Sequence, residues 1–232
     1  MKVVILCGGL GTRISEETIN KPKPMIKIGK FPILRHIINY YTKFGFNDFI
    51  ILTGYKKHII KNYFKNKNLN FNIKFRDTGV GTLTGERLLR IKDEFKKNEN
   101  FMLTYGDGLS NINLNSLKKF HCKHKRIATL TAVRPPARFG EIYIRNEDRV
   151  HKFIEKPQVS SGWINGGFFV FNYKIFKFLN KKQMLEREPM KKLVKSKNLH
   201  AFTHKGFWQC LDTMRDKKTL EAMAKKKKAP WL

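Results

Sequence analysis

Short apolar runs alternate along this chain with helix-length amphipathic stretches, and that alternation favours a layered α/β fold over an all-helical or all-strand one. The apolar spacing predicts strands at Lys2–Cys7, Asp48–Thr53, Phe71–Arg76, Phe101–Tyr105 and Ile127–Val133. Shorter strands follow at Gly140–Arg145, Arg149–Ile154, Ile164–Phe171 and Leu199–Thr203. Helices are predicted at Ile33–Phe44, Lys56–Phe64, Gly85–Phe95, Leu114–His124, Pro189–Lys195 and Thr213–Lys225. Asn113 is placed to cap the fourth, and Asp212 or Thr213 the last. The first two-thirds therefore reads as βαβ units around a mainly parallel sheet. From about Phe139 the strands shorten and cluster, which predicts a β-rich excursion laid on the same sheet. No linker, repeat or low-complexity segment separates these parts, so residues 1–232 read as one domain with an insertion.

The 232 residues suffice to bury a sizeable core, and no apolar run approaches the ~20 residues that span a bilayer. Val3-Val4-Ile5-Leu6-Cys7 is too short for the core of a signal peptide. Three cysteines with no Cys-x-x-Cys pair fit a reducing, cytoplasmic setting and exclude a disulfide scaffold. The net charge of +30 raises the question of a nucleic-acid partner. Its make-up argues against one. Lysine outnumbers arginine 36 to 12 and is spread from Lys2 to Lys228, whereas phosphate and base recognition lean on arginine. No specific nucleic acid is expected. His121-Cys122-Lys123-His124 has the residue types of a metal site but no second ligand pair, and reads as the solvated face of a surface helix.

The first strand runs directly into Gly8-Gly9-Leu10-Gly11-Thr12-Arg13. Glycines after a strand let backbone N–H groups approach phosphate oxygens, and Arg13 adds a forked cation. The spacing is neither the dinucleotide fingerprint nor a Walker A loop. In Lys21-Pro22-Lys23-Pro24-Met25 two prolines fix an extended segment and hold Lys23 in place. Two fixed cations beside an anion nest suit a triphosphate. The strand Phe101–Tyr105 ends in Gly106-Asp107-Gly108. A carboxylate at a strand's carboxyl end is where open α/β sheets bind ligands, and a hydrated Mg²⁺ could meet it there. Further along stand Glu155-Lys156-Pro157, Asn165-Gly166-Gly167 and, at a predicted helix start, Asp212. Each is ordinary by itself.

Their combination and order resemble the sugar-1-phosphate nucleotidylyltransferases, and within them most the glucose-1-phosphate cytidylyltransferases. The resemblance rests on GGLGTRISEETINKPKPMI, TYGDGL, RPPARFGEIYI, EKP, INGGFFVFN, GFWQCLDTMRDK and KAPW, and runs from Met1 to Trp231. It implies a Rossmann-like nucleotide-diphospho-sugar transferase fold. Residues to about 135 would bind the nucleotide, and residues from about 136 the sugar phosphate. It implies CTP and glucose 1-phosphate as substrates, CDP-glucose and pyrophosphate as products, Mg²⁺ as cofactor and a homo-oligomeric enzyme. By it, Leu6, Gly8, Gly9, Leu10, Gly11, Thr12, Arg13, Lys23 and Gly106 would hold the nucleotide, with Thr82 and Arg87 at its cytidine end. Asp107 and Asp212 would carry the metal, and Gly140, Glu155, Lys156, Asn165 and Gly167 would form the sugar-phosphate pocket. Arg13, Lys23 and Asp107 would do the chemistry. Two features depart from the family: a shortened stretch between Phe64 and Asp77, and Glu86 where glycine is expected.

Overall fold

A computed structural model of the chain describes residues 1–65, 69–135, 141–144, 149–154, 162–226 and 229–232. Its centre is a seven-stranded sheet. In chain order its strands are β1 (Val3–Cys7), β4 (Asp48–Thr53), β5 (Asn72–Asp77), β6 (Asn100–Tyr105), β8 (Ala128–Val133), β11 (Ile164–Asn172) and β12 (Leu199–His204). In space the order is β12-β8-β11-β6-β1-β4-β5. Pairings β1–β4, β4–β5, β1–β6 and β8–β12 are parallel, and only β11 runs against its two neighbours. Among the described residues, three two-stranded ribbons complete the strands: β2 (Lys27–Ile28) with β3 (Phe31–Pro32), β7 (Gly108–Ser110) with β13 (Trp208–Cys210), and β9 (Glu141–Ile144) with β10 (Val150–Ile154). The expected excursion is thus split. β11 and β12 join the central sheet on either side of β8, whereas β9 and β10 pair with each other as a separate ribbon.

The helices are α1 (Ser15–Thr18), α2 (Ile33–Lys43), α3 (Lys57–Phe64), α4 (Thr84–Leu89), α5 (Leu114–His124), α6 (Glu188–Lys195) and α7 (Met214–Lys225). They cover both faces, and β1 shows why its sequence is continuously apolar. Val3, Ile5 and Cys7 face one layer, with Ile37 and Tyr41 of α2, Leu117 of α5 and Leu220 of α7. Val4 and Leu6 face the other, with Leu88 of α4 and Leu193 of α6. A strand buried on both faces needs no polar alternation. At the far end of the chain, Trp231 is buried between these elements. It stacks on Phe207, and its Nε1–H donates to Nδ1 of His36 on α2.

Asn113 and Thr213 cap α5 and α7 as expected, the latter reciprocally with Asp216. Two local expectations fail. The helix predicted over Gly85–Phe95 stops at Leu89 and resumes as a single tight turn, Lys92–Glu94. Glu94 is drawn off to the edge strand, where Lys74 and Arg76 of β5 bind its carboxylate. The expected solvated histidine face is also incorrect, because His121 is 1% exposed. Its Nδ1 lies 2.8 Å from the Thr129 hydroxyl of β8, which His124 Nε2 meets at 2.7 Å. The backbone N–H of Arg126 donates to His124 Nδ1, so the neutral His124 ring carries its proton on Nε2 and donates to Thr129. His200 of β12 stacks on His124 at 4.3 Å.

Burial, then the neighbouring His124 and His200, push the His121 ring down to about 4. The unfolded chain therefore takes up a proton here first. The stability from His121 is complete above the ordinary histidine value and is lost as pH falls from there toward 4. Urea unfolding at pH 7 and pH 5 should show this loss in the wild type and a flatter pH dependence in His121→Asn. Equal slopes would contradict the assignment.

Candidate active site

β1 sits between β4, reached through α2, and β6 on its other side, so the winding of the sheet reverses at the carboxyl end of β1. Such reversals open a crevice in α/β sheets. Here it is a cleft of about 340 Å³, lined by Leu6 to Gly9 at and beyond the end of β1 and by Gly11 to Arg13. Lys23, Pro24, Thr82 to Thr84, Arg87, Tyr105 to Asp107 and Met184 complete the lining. Leu10 is exposed and lies outside it.

Backbone must come close in this corner, and glycine permits it. A Cβ on Gly8 would stand 2.1 Å from Arg87 Nη1, and one on Gly106 would stand 2.9 Å from both Cys7 Sγ and the Leu6 carbonyl. Gly11 adopts φ 71°, the left-handed region, above Thr18 and Lys23. A Cβ on Gly9, by contrast, would meet nothing within 4 Å.

Lys23 begins a tight turn between Pro22 and Pro24, with only 8% of its surface exposed. Its Nζ donates to Asp107 Oδ2 and to Asp212 Oδ1, each at 2.5 Å. Arg13, whose side chain is largely in solvent, reaches Asp212 Oδ2 at 2.6 Å. Burial works against the Lys23 charge, yet Asp107 and Asp212 hold the ammonium above the ordinary lysine range. Burial likewise works against the Asp212 carboxylate, and the Lys23 hydrogen bond with the Lys23 and Arg13 charges holds it below the usual range. Both groups stay ionised across neutral pH. The adjoining thiols do not ionise there. Burial, then Asp107, raises Cys7, while burial and Asp212 push Cys210 up to about 12. Neither is a thiolate nucleophile at neutral pH.

Arg87 lines the cleft while its fork is committed to the protein. Nη2 donates to the Gly8 carbonyl at 2.8 Å. Nη1 donates to the Gly79 carbonyl at 2.8 Å and the Thr78 hydroxyl at 2.6 Å, and more weakly to the Thr53 carbonyl at 3.3 Å. The glycine loop is thereby tied to the ends of β4 and β5. Asn165 and Gly167 lie beside the cleft rather than in its lining. Asn165 Nδ2 donates to the Tyr105 hydroxyl at 3.4 Å, and the Tyr105 ring occupies the place of a Gly167 side chain. Gly140, Glu155 and Lys156 fall outside the described residues. Sequence reasoning passed over Tyr105, Thr78 and Glu186. Tyr105 lies inside the TYGDGL string. Glu186 comes from a loop with no motif of its own.

The chain belongs to the nucleotidyl transferase family, whose model matches residues 2–226. It is 44% identical, over an alignment of 254 residues, to a glucose-1-phosphate cytidylyltransferase of Salmonella typhimurium; the match covers all of this chain and 98% of that protein. Among solved structures, UDP-glucose pyrophosphorylase complexed with UDP-glucose superposes with a TM-score of 0.75 at 18% identity, covering 97% of this chain and 98% of the other. HddC from Yersinia pseudotuberculosis complexed with GMP-PN does so at 0.75 and 23%, covering 96% and 99%. These likenesses bear out the expected nucleotidyltransferase fold. No helix among the described residues is long and apolar enough to cross a membrane.

Because four contacts of one buried guanidinium join the glycine loop to β4 and β5, Arg87→Lys should be destabilising despite keeping the charge. An ammonium cannot span Gly8, Thr78 and Gly79 at once, and stranded buried acceptors cost about 3 kcal/mol together. Chemical denaturation checks this; a stability equal to wild type would show that the fork is dispensable.

Proposed function

We propose that the enzyme makes CDP-glucose: a glucose 1-phosphate oxygen attacks the α-phosphorus of CTP, and pyrophosphate leaves. The observation that carries this reading is full-length identity of 44% to a glucose-1-phosphate cytidylyltransferase, on a chain whose cleft is lined by Arg13, Lys23 and Asp107, with Asp212 bound to both cations. The attacking phosphate is already an anion at neutral pH, so the reaction asks for no general base. It also asks for no covalent intermediate, consistent with the protonated Cys7 and Cys210. The tasks left are alignment of two mutually repelling polyanions and stabilisation of charge at phosphorus.

In this reading the loop from Leu6 to Arg13 and Gly106 receive the nucleotide. Lys23 stands beside the α-phosphate and exposed Arg13 takes the departing pyrophosphate. Thr82 and the Arg87-braced wall flank the base, and Asn165 and Gly167, with Gly140, Glu155 and Lys156, serve the sugar phosphate. Asp107 and Asp212 suit a magnesium site, because two carboxylates from distant segments converge on one cationic point, the Lys23 ammonium. Among the described residues no larger cluster of histidine, cysteine and carboxylate side chains could hold a metal, so such an ion would take further ligands from water and phosphate. Bound there, Mg²⁺ would neutralise phosphate charge.

Asp107→Asn should lower turnover on the order of 10²-fold or more, and it should also lower stability, because it takes one of the two anions from buried Lys23. Undiminished turnover by EDTA-treated enzyme would overturn the metal assignment. Pyrophosphate release across four nucleoside triphosphates and a panel of phosphorylated acceptors tests specificity. CTP with glucose 1-phosphate should be the preferred pair. Replacing CTP by UTP should hurt less than replacing glucose 1-phosphate by glucose 6-phosphate, which puts the nucleophilic phosphate on the wrong carbon. Best use of another nucleotide, or of an acceptor that is not a sugar, would move the assignment within the family.

A further inference from the structure

The two walls of the cleft belong to segments far apart in sequence. One carries Thr82 and leads into α4. The other is the start of β11 at Asn165 and Gly167, which meets the cleft through Tyr105. Both are joined at one carboxylate, Glu186. Its Oε2 accepts from the Thr84 hydroxyl at 2.6 Å, and its Oε1 accepts from the Tyr105 hydroxyl at 2.6 Å. Tyr105 in turn accepts from Asn165. The loop bearing Glu186 also closes the start of α4. The Gln183 carbonyl accepts from the backbone N–H groups of Gly85 and Glu86, and the Leu185 N–H donates to the Thr84 hydroxyl. Gly85 packs so tightly there that a Cβ would come within 2.8 Å of the Gln183 carbonyl.

We propose that Glu186 is a positioning residue that couples the base wall to the sugar wall, setting the separation at which the two substrates meet. Two hydrogen bonds to an ionised acceptor are short and directional, and hydroxyl groups rotate to satisfy one carboxylate from both sides. Among the described residues, Glu186 makes no hydrogen bond or ion pair with the glycine loop or the Lys23 cluster. Its loss therefore loosens alignment rather than removing a phosphate contact. The identity of the two subsites rests on the cytidylyltransferase reading above; the brace itself does not.

Two measurements separate these layers. In the ligand-free protein, hydrogen–deuterium exchange in the peptide spanning 84–89 should quicken in Glu186→Ala and stay near wild type in Glu186→Gln, which retains an acceptor and the side-chain length. In steady-state kinetics with CTP and glucose 1-phosphate, Glu186→Ala should lose on the order of tenfold or more in kcat, with smaller changes in either KM. Glu186→Gln should recover most of it. Glu186→Ala combined with Tyr105→Phe should be no slower than Glu186→Ala alone, since both cut one linkage. Unchanged exchange in Glu186→Ala, unchanged kcat, or strictly additive losses would each overturn the proposal. A wild type inactive on this substrate pair, with the exchange difference intact, would overturn the substrate reading and support the brace.

Discussion

The clasp of Lys23 by Asp107 and Asp212 is the contact on which the rest of the site depends. It ties the turn after the glycine loop, the end of β6 and the start of α7 to one nitrogen, across 84 and 189 residues of chain. A buried cation with two anions is a demanding arrangement, because burial penalises each charge and only the partners offset it. Removing one partner from such a group costs several kcal/mol, whereas the intact group adds little net stability. Its value lies in placement. Charges held ionised and immobile in a crevice need no reorganisation when a charged ligand arrives, which is the condition under which electrostatic stabilisation is strongest.

A second constraint supports the first. The crevice exists because backbone segments approach more closely than side chains allow: Gly8 against Arg87, Gly54 against the Gly79 and Gly8 carbonyls, and Gly106 against Cys7. The buried Arg87 fork satisfies the carbonyls that this close packing removes from water. A cation in the wall thus does structural work, its fork spent on the protein's own oxygens. Among the described residues, the cations that line the cleft are Arg13, Lys23 and Arg87.

Much of this was legible in the chain. The apolar runs of β1, β4 and β6 announced strands of a mainly parallel sheet, and Gly8, Gly11, Lys23, Asp107 and Asp212 stood out by position and neighbours. Asn113 and Thr213 declared their helices. Other features were not legible. Nothing local stops a helix after Leu89; it ends where Glu94 is claimed by Lys74 and Arg76 of another strand. His121 looked solvated because its partner, Thr129, lies across a loop on β8. The β7–β13 ribbon is three residues on each side, too short for an alternating pattern to show.

The sequence by itself determined the α/β alternation, the glycine turn after the first strand and the supply of cations and carboxylates. These follow from backbone sterics and side-chain chemistry acting over a few residues. Only the tertiary structure decided that Arg87 would spend its fork on Gly8, Thr78 and Gly79, and that Lys23 would lie between two aspartates. It also decided that Glu186 would bridge Thr84 and Tyr105. Those choices depend on which distant segments the sheet order brings to one edge, and hydrogen bonds and ion pairs act only over a few ångströms once that order has placed them.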